Sequence, residues 1–209
     1  MKQSNSEVQA MCGIIGYIGM QNATPILVDG LRRLEYRGYD STGIAVKNGD
    51  ISIHKRTGKV ADLETILPKK IEGTCGIAHT RWATHGGVTD ANAHPHASED
   101  GKVAIIHNGI IENASAIRKH LQSEGVKFCS ETDSEVLVHL IHRYLEGGSA
   151  PLTAVRKALR RVRGTWGLCV LFADHEAIIC ARNGSPLVIG IGDGESYIAS
   201  DPHALTPHT

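Results

Sequence analysis

The sequence predicts a mixed α and β domain whose sheets are largely antiparallel. Predicted strands outnumber predicted helices, and short turns join many of those strands. Strand-like and helix-like apolar segments also alternate along the whole chain. The length of 209 residues suits one domain with a core large enough to fold alone.

Six elements are predicted up to residue 107 from hydrophobic periodicity and turn residues. In order they are a strand at 12–19, a helix beginning at 24, hairpin strands at 43–47 and 51–56, and single strands at 77–81 and 103–107. Thr24 is the predicted helix cap, with Pro25 as the first helical residue. The Asn-Gly-Asp sequence at 48–50 predicts the tight turn of the hairpin.

Three helices and four strands are predicted in the second half of the chain. In order they are a helix from Asn113 to about Gly125, a helix opening at 132, a helix over 152–162, and strands at 166–173, 177–182, 187–191 and 197–200. Thr132-Asp133-Ser134-Glu135 has the pattern of a capping box at the start of the second of these helices.

Charge and cysteine content argue against several classes of function. The 22 basic and 22 acidic residues give zero formal net charge, which predicts neither nucleic-acid nor membrane-surface binding. No apolar run approaches the ~20 residues that span a bilayer, and the first ten residues lack the apolar core of a secretory signal. Five cysteines without framework spacing predict reduced thiols and a cytoplasmic protein.

A long stretch at 82–100 is poor in large apolar residues and rich in His, Gly, Thr and Asn. Loops of this length in a compact domain are usually functional or disordered. His85, His94 and His96 could ligate a metal, but no carboxylate or cysteine falls at ligand spacing with them. We therefore expect no metal site and no cofactor.

Cys12 stands at the start of the first predicted strand, where a cysteine is more often a small core residue. Its neighbours favour a different interpretation, because Met11 precedes it and Gly13 follows it. If translation begins at Met11, removal of the methionine leaves Cys12 as the N-terminus. A free α-amine with a pKa of about 8 can accept the thiol proton, which makes such a residue its own nucleophile and base.

Two residues at the end of the 77–81 strand have both an ordinary and a functional interpretation. Arg81 could form a surface salt bridge, or its planar guanidinium could hold a substrate carboxylate through two hydrogen bonds. Trp82 could be an exposed loop aromatic or a lid over a pocket.

Asn108-Gly109 and Asp133 also allow two interpretations. Asn-Gly between apolar runs predicts a hairpin turn, and such a turn could also present an amide side chain and a backbone N–H to an oxyanion. Asp133 near a helix start is most simply a charge–dipole contact, and the alternative is recognition of a substrate ammonium. Spacing alone favours the charge–dipole contact.

Taken together, the motifs resemble those of the glutaminase domains of glutamine–fructose-6-phosphate aminotransferases, which are class II glutamine amidotransferases. The resemblance runs from Met11 to the C-terminus. It rests on the segments MCGIIGYIG, LRRLEYRGYDSTG, GIAHTRWATHG, NAHPH, HNGIIEN, SETDSE and SPLVIGIG. The opening MCGI is shared with other members of the class, whereas LEYRGYDS, HTRWATHG and SETDSE distinguish the sugar aminotransferases.

The resemblance implies an α+β fold of the N-terminal-nucleophile hydrolase type, a four-layer αββα sandwich with two mostly antiparallel sheets. It implies that Cys12 attacks the glutamine amide while Asn108 and the backbone of Gly109 form the oxyanion hole. Arg81 would hold the carboxylate and Asp133 the α-amine. The remaining implied binding residues are Trp82, Thr84 and His85 of a closing loop, His96 near its base, and Arg37 and Gly38 beside the nucleophile.

The resemblance also implies what lies around this domain. Residues 12–209 would be the glutaminase domain, while 1–11 would be a leader or a mis-assigned start. In the synthases a sugar-isomerase domain follows, uses the ammonia on fructose 6-phosphate and could form a homodimer; nothing in this sequence resembles it. Two other hypotheses stay open: a silent glutamine-binding regulatory module with a blocked Cys12, and a glutaminase serving another acceptor such as a phosphoribosyl donor.

The N-terminal residue generates the first prediction. A chain that begins at Cys12 should release ammonia from glutamine, whereas one that keeps 1–11 should be at least ~100-fold slower, because an acylated nitrogen cannot act as the base. Preparations started at Met1 and at Met11 are compared by intact mass and ammonia release. Equal activity from a chain that retains its first eleven residues would contradict the terminal-amine mechanism and favour a side-chain base, with His85 or His107 as candidates.

Overall fold

A computed structural model describes residues 12–206 of the chain. The predicted leader at 1–11 lies outside these residues, as do the last three positions. The strands are β1 (Gly13–Ile18), β2 (Ser41–Asn48), β3 (Asp50–Thr57), β4 (Cys75–Arg81), β5 (His96–Ala97), β6 (Val103–Ile111), β7 (Gly164–Phe172), β8 (Ile178–Asn183), β9 (Val188–Ile191) and β10 (Ser196–Ala199). The α-helices are α1 (Ala23–Leu34), α2 (Val60–Ile66), α3 (Ala114–Ser123), α4 (Glu135–Glu146) and α5 (Pro151–Leu159), and short 3-10 helices occupy Glu35–Arg37 and Pro202–Ala204.

The strands form two sheets. A six-stranded sheet has the order β3-β2-β4-β1-β10-β9, and a four-stranded sheet has the order β5-β6-β7-β8. Each pairing between these strands is antiparallel. The predicted α+β class with antiparallel sheets is therefore confirmed.

Three apolar clusters separate four layers of structure. One cluster joins α1 and α2 to the outer face of the six-stranded sheet, a second joins α3, α4 and α5 to the four-stranded sheet, and the third lies between the sheets. Side chains alternate across each strand, so Ile15 faces the first cluster while Ile14 faces the layer between the sheets. In the same way Ile105 packs against the helices and Ile106 packs between the sheets. This arrangement is the predicted αββα sandwich.

The predicted hairpin is present as β2 and β3. Their register pairs Asn48 with Asp50 across Gly49, which adopts a φ of +74°. A positive φ favours glycine, so the Asn-Gly-Asp sequence encodes this turn locally.

The prediction of a turn at Asn108-Gly109 is wrong. Both residues lie inside β6, which continues to Ile111 and pairs with β7 along its whole length. An Asn-Gly sequence is a local turn signal, but here the long pairing with β7 decides the backbone conformation.

Two predicted helix starts are also corrected. Asn22 caps α1 by accepting the Thr24 N–H, so Thr24 and Pro25 are the second and third helical residues. At α4 the predicted capping box does not form, because the helix begins only at Glu135, the Thr132 N–H donates to Ser130 Oγ, and the Thr132 hydroxyl lies 2.9 Å from His96 Nε2. The Glu135 carboxylate instead accepts the backbone N–H groups of Cys129 and Ser130, which close the preceding loop.

The long stretch at 82–100 contains only the two-residue strand β5, yet residues 92–96 are buried. Lys55 of β3 secures this part of the chain, because its ammonium donates to the carbonyls of Ala91, Ala93 and Pro95 at 2.8–3.3 Å. Within 12–206, no helix is long and apolar enough to cross a membrane.

Candidate active site

Cys12 is positioned by the pairing of the start of β1 with the end of β4. The register opposes Gly13 to Thr80, so Cys12 lies level with Arg81 and Trp82. The Trp82 N–H points at Cys12 Sγ at 3.1 Å. Gly13 is required by this close approach, because an added Cβ would lie 2.5 Å from the Thr80 hydroxyl oxygen. That oxygen accepts the Gly13 N–H.

The surroundings of Cys12 act on its thiol in opposite directions. Burial is the largest influence and raises the pKa of the Cys12 thiol, and the Asp40 carboxylate adds to this effect. The Trp82 N–H and the Arg81 guanidinium lower that pKa, but by less. The thiol is therefore protonated at neutral pH, and a reaction through its thiolate requires a base.

Asn108 connects the second sheet to Cys12. Its Nδ2 donates to the Cys12 carbonyl at 2.9 Å, and its Oδ1 lies 2.8 Å from His79 Nε2. Since the Asn108 oxygen can only accept, His79 donates from Nε2. The amide group carries two hydrogens, so one N–H of Asn108 remains for a ligand beside Cys12.

Gly109 brings β6 unusually close to β7. Its φ is +132°, and an added Cβ would lie 2.2 Å from the Thr165 carbonyl oxygen. Only glycine fits this position, for reasons of both backbone conformation and space.

Arg81 is a buried cation at the end of β4. Its guanidinium donates to the carbonyls of His85 and Gly87 at 2.5 and 3.3 Å, and Asp40 lies 3.9 Å away. The loop after β4 thus folds back over the arginine, while the Trp82 ring remains 46% exposed.

Asp133 is a buried acid between β6 and the start of α4. One of its oxygens, Oδ2, accepts the Ile111 N–H at 2.6 Å. This bond holds the carboxylate at the end of β6, two residues beyond Gly109.

These groups converge on one cavity of about 520 Å³. The sequence-predicted residues that line it are Cys12, Arg81, Trp82, Thr84, His85, Asn108, Gly109 and Asp133. The other lining residues are His94, His107, Ile110, Thr132, Ser134, Thr165, Gly184, Ser185 and Pro186.

Three predicted residues lie behind the cavity rather than in its lining. Arg37 donates to Ser200 Oγ at 3.3 Å, and that oxygen accepts the Ile14 N–H. Gly38 ends the adjoining 3-10 helix with a φ of +76°. His96 lies on β5, where its Nε2 is 2.9 Å from the Thr132 hydroxyl.

Several lining residues carried little signal in the sequence. Ser134 is an intermediate residue of the predicted capping box, and that pattern gives its side chain no role. Thr165 precedes a predicted strand, and 184–186 has the composition of an ordinary turn. Thr165 and 184–186 reach the site through the pairing of β7 with β6 and β8, and Ser134 reaches it at the start of α4.

Four buried histidines lie at the cavity, of which His94 and His107 line it. The rings of His79 and His94 are tilted against each other with centroids 4.3 Å apart, the ring of His96 meets that of His94 edge-on at 4.5 Å, and His107 lies on β6. Burial is the main cause that lowers the pKa of each, to about 3 for His79 and well below the usual value for His94 and His96. All four are therefore neutral at neutral pH, and neither ring nitrogen of His94 has a hydrogen-bond partner among the described residues.

Metal ligation is not indicated by the part of the chain that the structure describes. It contains no group of three or more His, Cys, Asp or Glu side chains arranged to hold an ion.

Comparisons with known proteins identify relatives of this chain. The family described as "Glutamine amidotransferase domain" matches residues 79–207. A glutamine–fructose-6-phosphate aminotransferase (isomerizing) of Thermus thermophilus is 53% identical over 201 residues, which cover 95% of this chain and 33% of the relative. The enzyme of the same name from Chlorobaculum tepidum is 55% identical, with 95% and 34% covered. The chain thus spans about one third of the length of these relatives.

Solved structures show the same fold. The glutamine phosphoribosylpyrophosphate amidotransferase from B. subtilis, complexed with ADP and GMP, superposes with a TM-score of 0.80 at 28% identity, covering 93% of this chain and 43% of that one. A structure described as the allosteric regulatory enzyme of purine biosynthesis gives 0.82 at 29% identity, with the same coverage.

The buried histidines generate a prediction about stability and pH. In the unfolded chain each histidine gains a proton below pH about 6.5, whereas in the folded protein each stays neutral to a lower pH. The free energy of unfolding should therefore be highest above pH 6.5 and fall as pH decreases. When the pH is lowered from 7.5 to 5.5, the free energy of unfolding should fall by about 1.4 kcal/mol less in His94→Phe than in the wild type, because the variant has one buried histidine fewer.

Urea unfolding at the two pH values measures this difference. His175→Gln, in the exposed turn between β7 and β8, is the matched control and should follow the wild type. An unchanged pH dependence in His94→Phe would show that this ring does not remain neutral in the fold.

Proposed function

Since the chain belongs to the glutamine amidotransferase domain family, we propose that it hydrolyses L-glutamine to L-glutamate and ammonia through a thioester on Cys12. One observation carries the proposal: a thiol, an amide donor, a buried cation and a buried anion line a single cavity. Glutamine offers matching groups, because it has a side-chain amide to attack, an α-carboxylate and an α-ammonium. The side-chain amide would lie at Cys12 and Asn108. Arg81 would bind the α-carboxylate, and Asp133 would bind the α-ammonium.

Charge complementarity supports the binding mode. Arg81 and Asp133 are buried, so each would gain from an oppositely charged partner in a site shielded from water. Trp82, Thr84 and His85 belong to the loop whose carbonyls Arg81 already binds, and we propose that this loop closes over glutamine. His96 would act through Thr132, and Arg37 and Gly38 would support β1 from behind.

The first step needs a base for a thiol that burial keeps protonated. We propose the α-amine of Cys12, exposed once the preceding residues are removed. The amine takes the thiol proton, and the thiolate sulfur attacks the carbonyl carbon of the glutamine side chain. The C=O π electrons move to oxygen, which forms a tetrahedral oxyanion.

Asn108 and Gly109 would stabilise this oxyanion. Asn108 Nδ2 keeps one hydrogen free of its bond to the Cys12 carbonyl, and the Gly109 backbone is held beside it in β6. When the intermediate collapses, the C–N bond breaks and the leaving nitrogen takes the proton from the terminal ammonium, so that ammonia departs. Water activated by the same amine then adds to the thioester, and cleavage of the C–S bond gives glutamate and the free thiol.

We further propose that the ammonia serves amino-sugar synthesis in a larger protein. The aminotransferases matched at 53–55% identity are named for fructose 6-phosphate, and this chain spans about a third of their length. A sugar-isomerase domain would accept the ammonia and could carry a homodimer interface. The lower identity of 28% to the phosphoribosylpyrophosphate enzyme makes a phosphoribosyl acceptor the weaker candidate. A cytoplasmic location is supported by five cysteines that are all free thiols.

The nucleophile assignment is tested by Cys12→Ala. Turnover of glutamine should be lost, while glutamine should still bind, because Arg81 and Asp133 are unchanged. Ammonia release and isothermal titration calorimetry measure the two properties. Cys129→Ala removes an exposed thiol and is the control that should keep both. Loss of binding together with turnover in a folded Cys12→Ala protein would count against this assignment.

Asn108→Ala tests the oxyanion role. Removal of one such donor should lower kcat by ~100- to 1,000-fold, with a much smaller effect on KM, because the donor acts mainly on the transition state. Steady-state kinetics at saturating glutamine provide the measurement, with Asn48→Ala in the distant hairpin as control. An increase in KM with unchanged kcat would instead make Asn108 a ground-state binding residue.

A further inference from the structure

Ser134 stands at the N-cap of α4 but does not cap it. Its side chain makes no cap hydrogen bond, although a serine at this position ordinarily stabilises the helix by accepting an N–H of the first turn. The residue is 2% exposed, and it lines the cavity next to Asp133. Because the buried Ser134 hydroxyl does not cap the helix, its hydrogen bonds are made with other groups.

His107 determines which way the Ser134 hydroxyl points. His107 Nε2 lies 3.2 Å from the Thr165 carbonyl oxygen, which can only accept, so Nε2 carries a hydrogen. In a neutral imidazole the other nitrogen, Nδ1, is then an acceptor, and it lies 2.8 Å from Ser134 Oγ. The single hydroxyl hydrogen of Ser134 is therefore donated to His107. Burial lowers the pKa of His107, which is consistent with the neutral ring.

The consequence is an acceptor-only surface beside Asp133. Because the hydroxyl hydrogen is donated to His107, the Ser134 oxygen can only accept a hydrogen bond from a ligand. Asp133 Oδ1 lies 3.5 Å from that oxygen, which is too long to compete with the 2.8 Å contact to His107 for the hydroxyl hydrogen, while Asp133 Oδ2 accepts the Ile111 N–H. Two acceptors side by side, without a donor between them, suit a primary ammonium with three N–H groups and disfavour a carboxylate.

We propose that Ser134 is a substrate-binding residue whose hydroxyl oxygen accepts a hydrogen bond from the α-ammonium of glutamine beside Asp133. His107 is its positioning residue, because it removes the donor character of the hydroxyl. The inference rests on the proposed glutaminase function and adds the basis of its selectivity. An amide that lacks an ammonium leaves Ser134 and Asp133 without a partner, so it should be turned over with a much higher KM than glutamine.

A substrate pair isolates the ammonium contribution. L-Glutamine and 4-carbamoylbutanoate carry the same amide and carboxylate, but the second compound has no α-ammonium. Ser134→Ala should raise KM for glutamine about tenfold or more, as expected for a lost hydrogen bond to a charged group. KM for 4-carbamoylbutanoate should stay unchanged. Ser134→Thr keeps a hydroxyl and should retain the preference for glutamine, while Ser123→Ala on α3 is the control for an exposed serine.

Two kinetic results would overturn the inference. Equal effects of Ser134→Ala on both substrates would mean that the serine only shapes the cavity, and no effect on either would mean that it does not touch the ligand. Imidazole ¹⁵N NMR tests the positioning step separately, since His107 should be the neutral Nε2–H tautomer. A neutral Nδ1–H tautomer would turn the hydroxyl toward the cavity as a donor and would also overturn it.

Failure of the proposed function is distinguishable from failure of this inference. If the wild-type chain beginning at Cys12 does not hydrolyse glutamine, the proposed function fails. Calorimetry with L-glutamate and glutarate, which differ only in the α-ammonium, then decides the inference alone. Selective weakening of L-glutamate by Ser134→Ala supports it, and equal affinities of the two compounds for wild type and variant refute it.

Discussion

The Asn108 amide is the contact on which the geometry of the site depends. It projects from the four-stranded sheet and binds two strands of the other sheet, through the Cys12 carbonyl and the His79 ring. Because donor and acceptor are both used, the side chain has one orientation, and the gap between the sheets is set at this point. The thiol, the free amide N–H and the backbone of Gly109 therefore keep a defined spacing without a ligand.

The layer between the sheets is apolar at one end and polar at the other. Alternate residues of β4 face this layer, first Cys75 and Ile77 and then His79, while on β6 Ile106 is followed by Asn108. The apolar end contributes to stability through burial, which is worth roughly 25 cal/mol per Å². The polar end consists of groups whose burial is unfavourable unless they are hydrogen-bonded. Such groups are concentrated where the cavity opens, as expected if function rather than stability retains them.

Local patterns identified the elements well, and the misassignments have one kind of cause. Asn48-Gly49 and Asn108-Gly109 are the same dipeptide between apolar runs, yet only the first forms a turn. At Asn48-Gly49 the two flanking strands pair with each other, so the chain turns between them. At Asn108-Gly109 both flanking segments pair with β7, so the chain continues as one strand, β6. The capping-box prediction before α4 is wrong for a similar reason, because the Glu135 carboxylate accepts the backbone N–H groups of Cys129 and Ser130 in the preceding loop.

The sequence by itself determined the strand and helix pattern, the antiparallel α+β class and the chemical groups that the site employs, since these follow from periodicity and residue type. Motif resemblance added candidate roles for Cys12, Arg81 and Asp133. The tertiary structure alone decided that His107 contacts Ser134, that Thr165 lies against Gly109, and that burial lowers the pKa of four histidines. These properties depend on burial and on contacts between residues that are distant in the chain, which local periodicity does not encode.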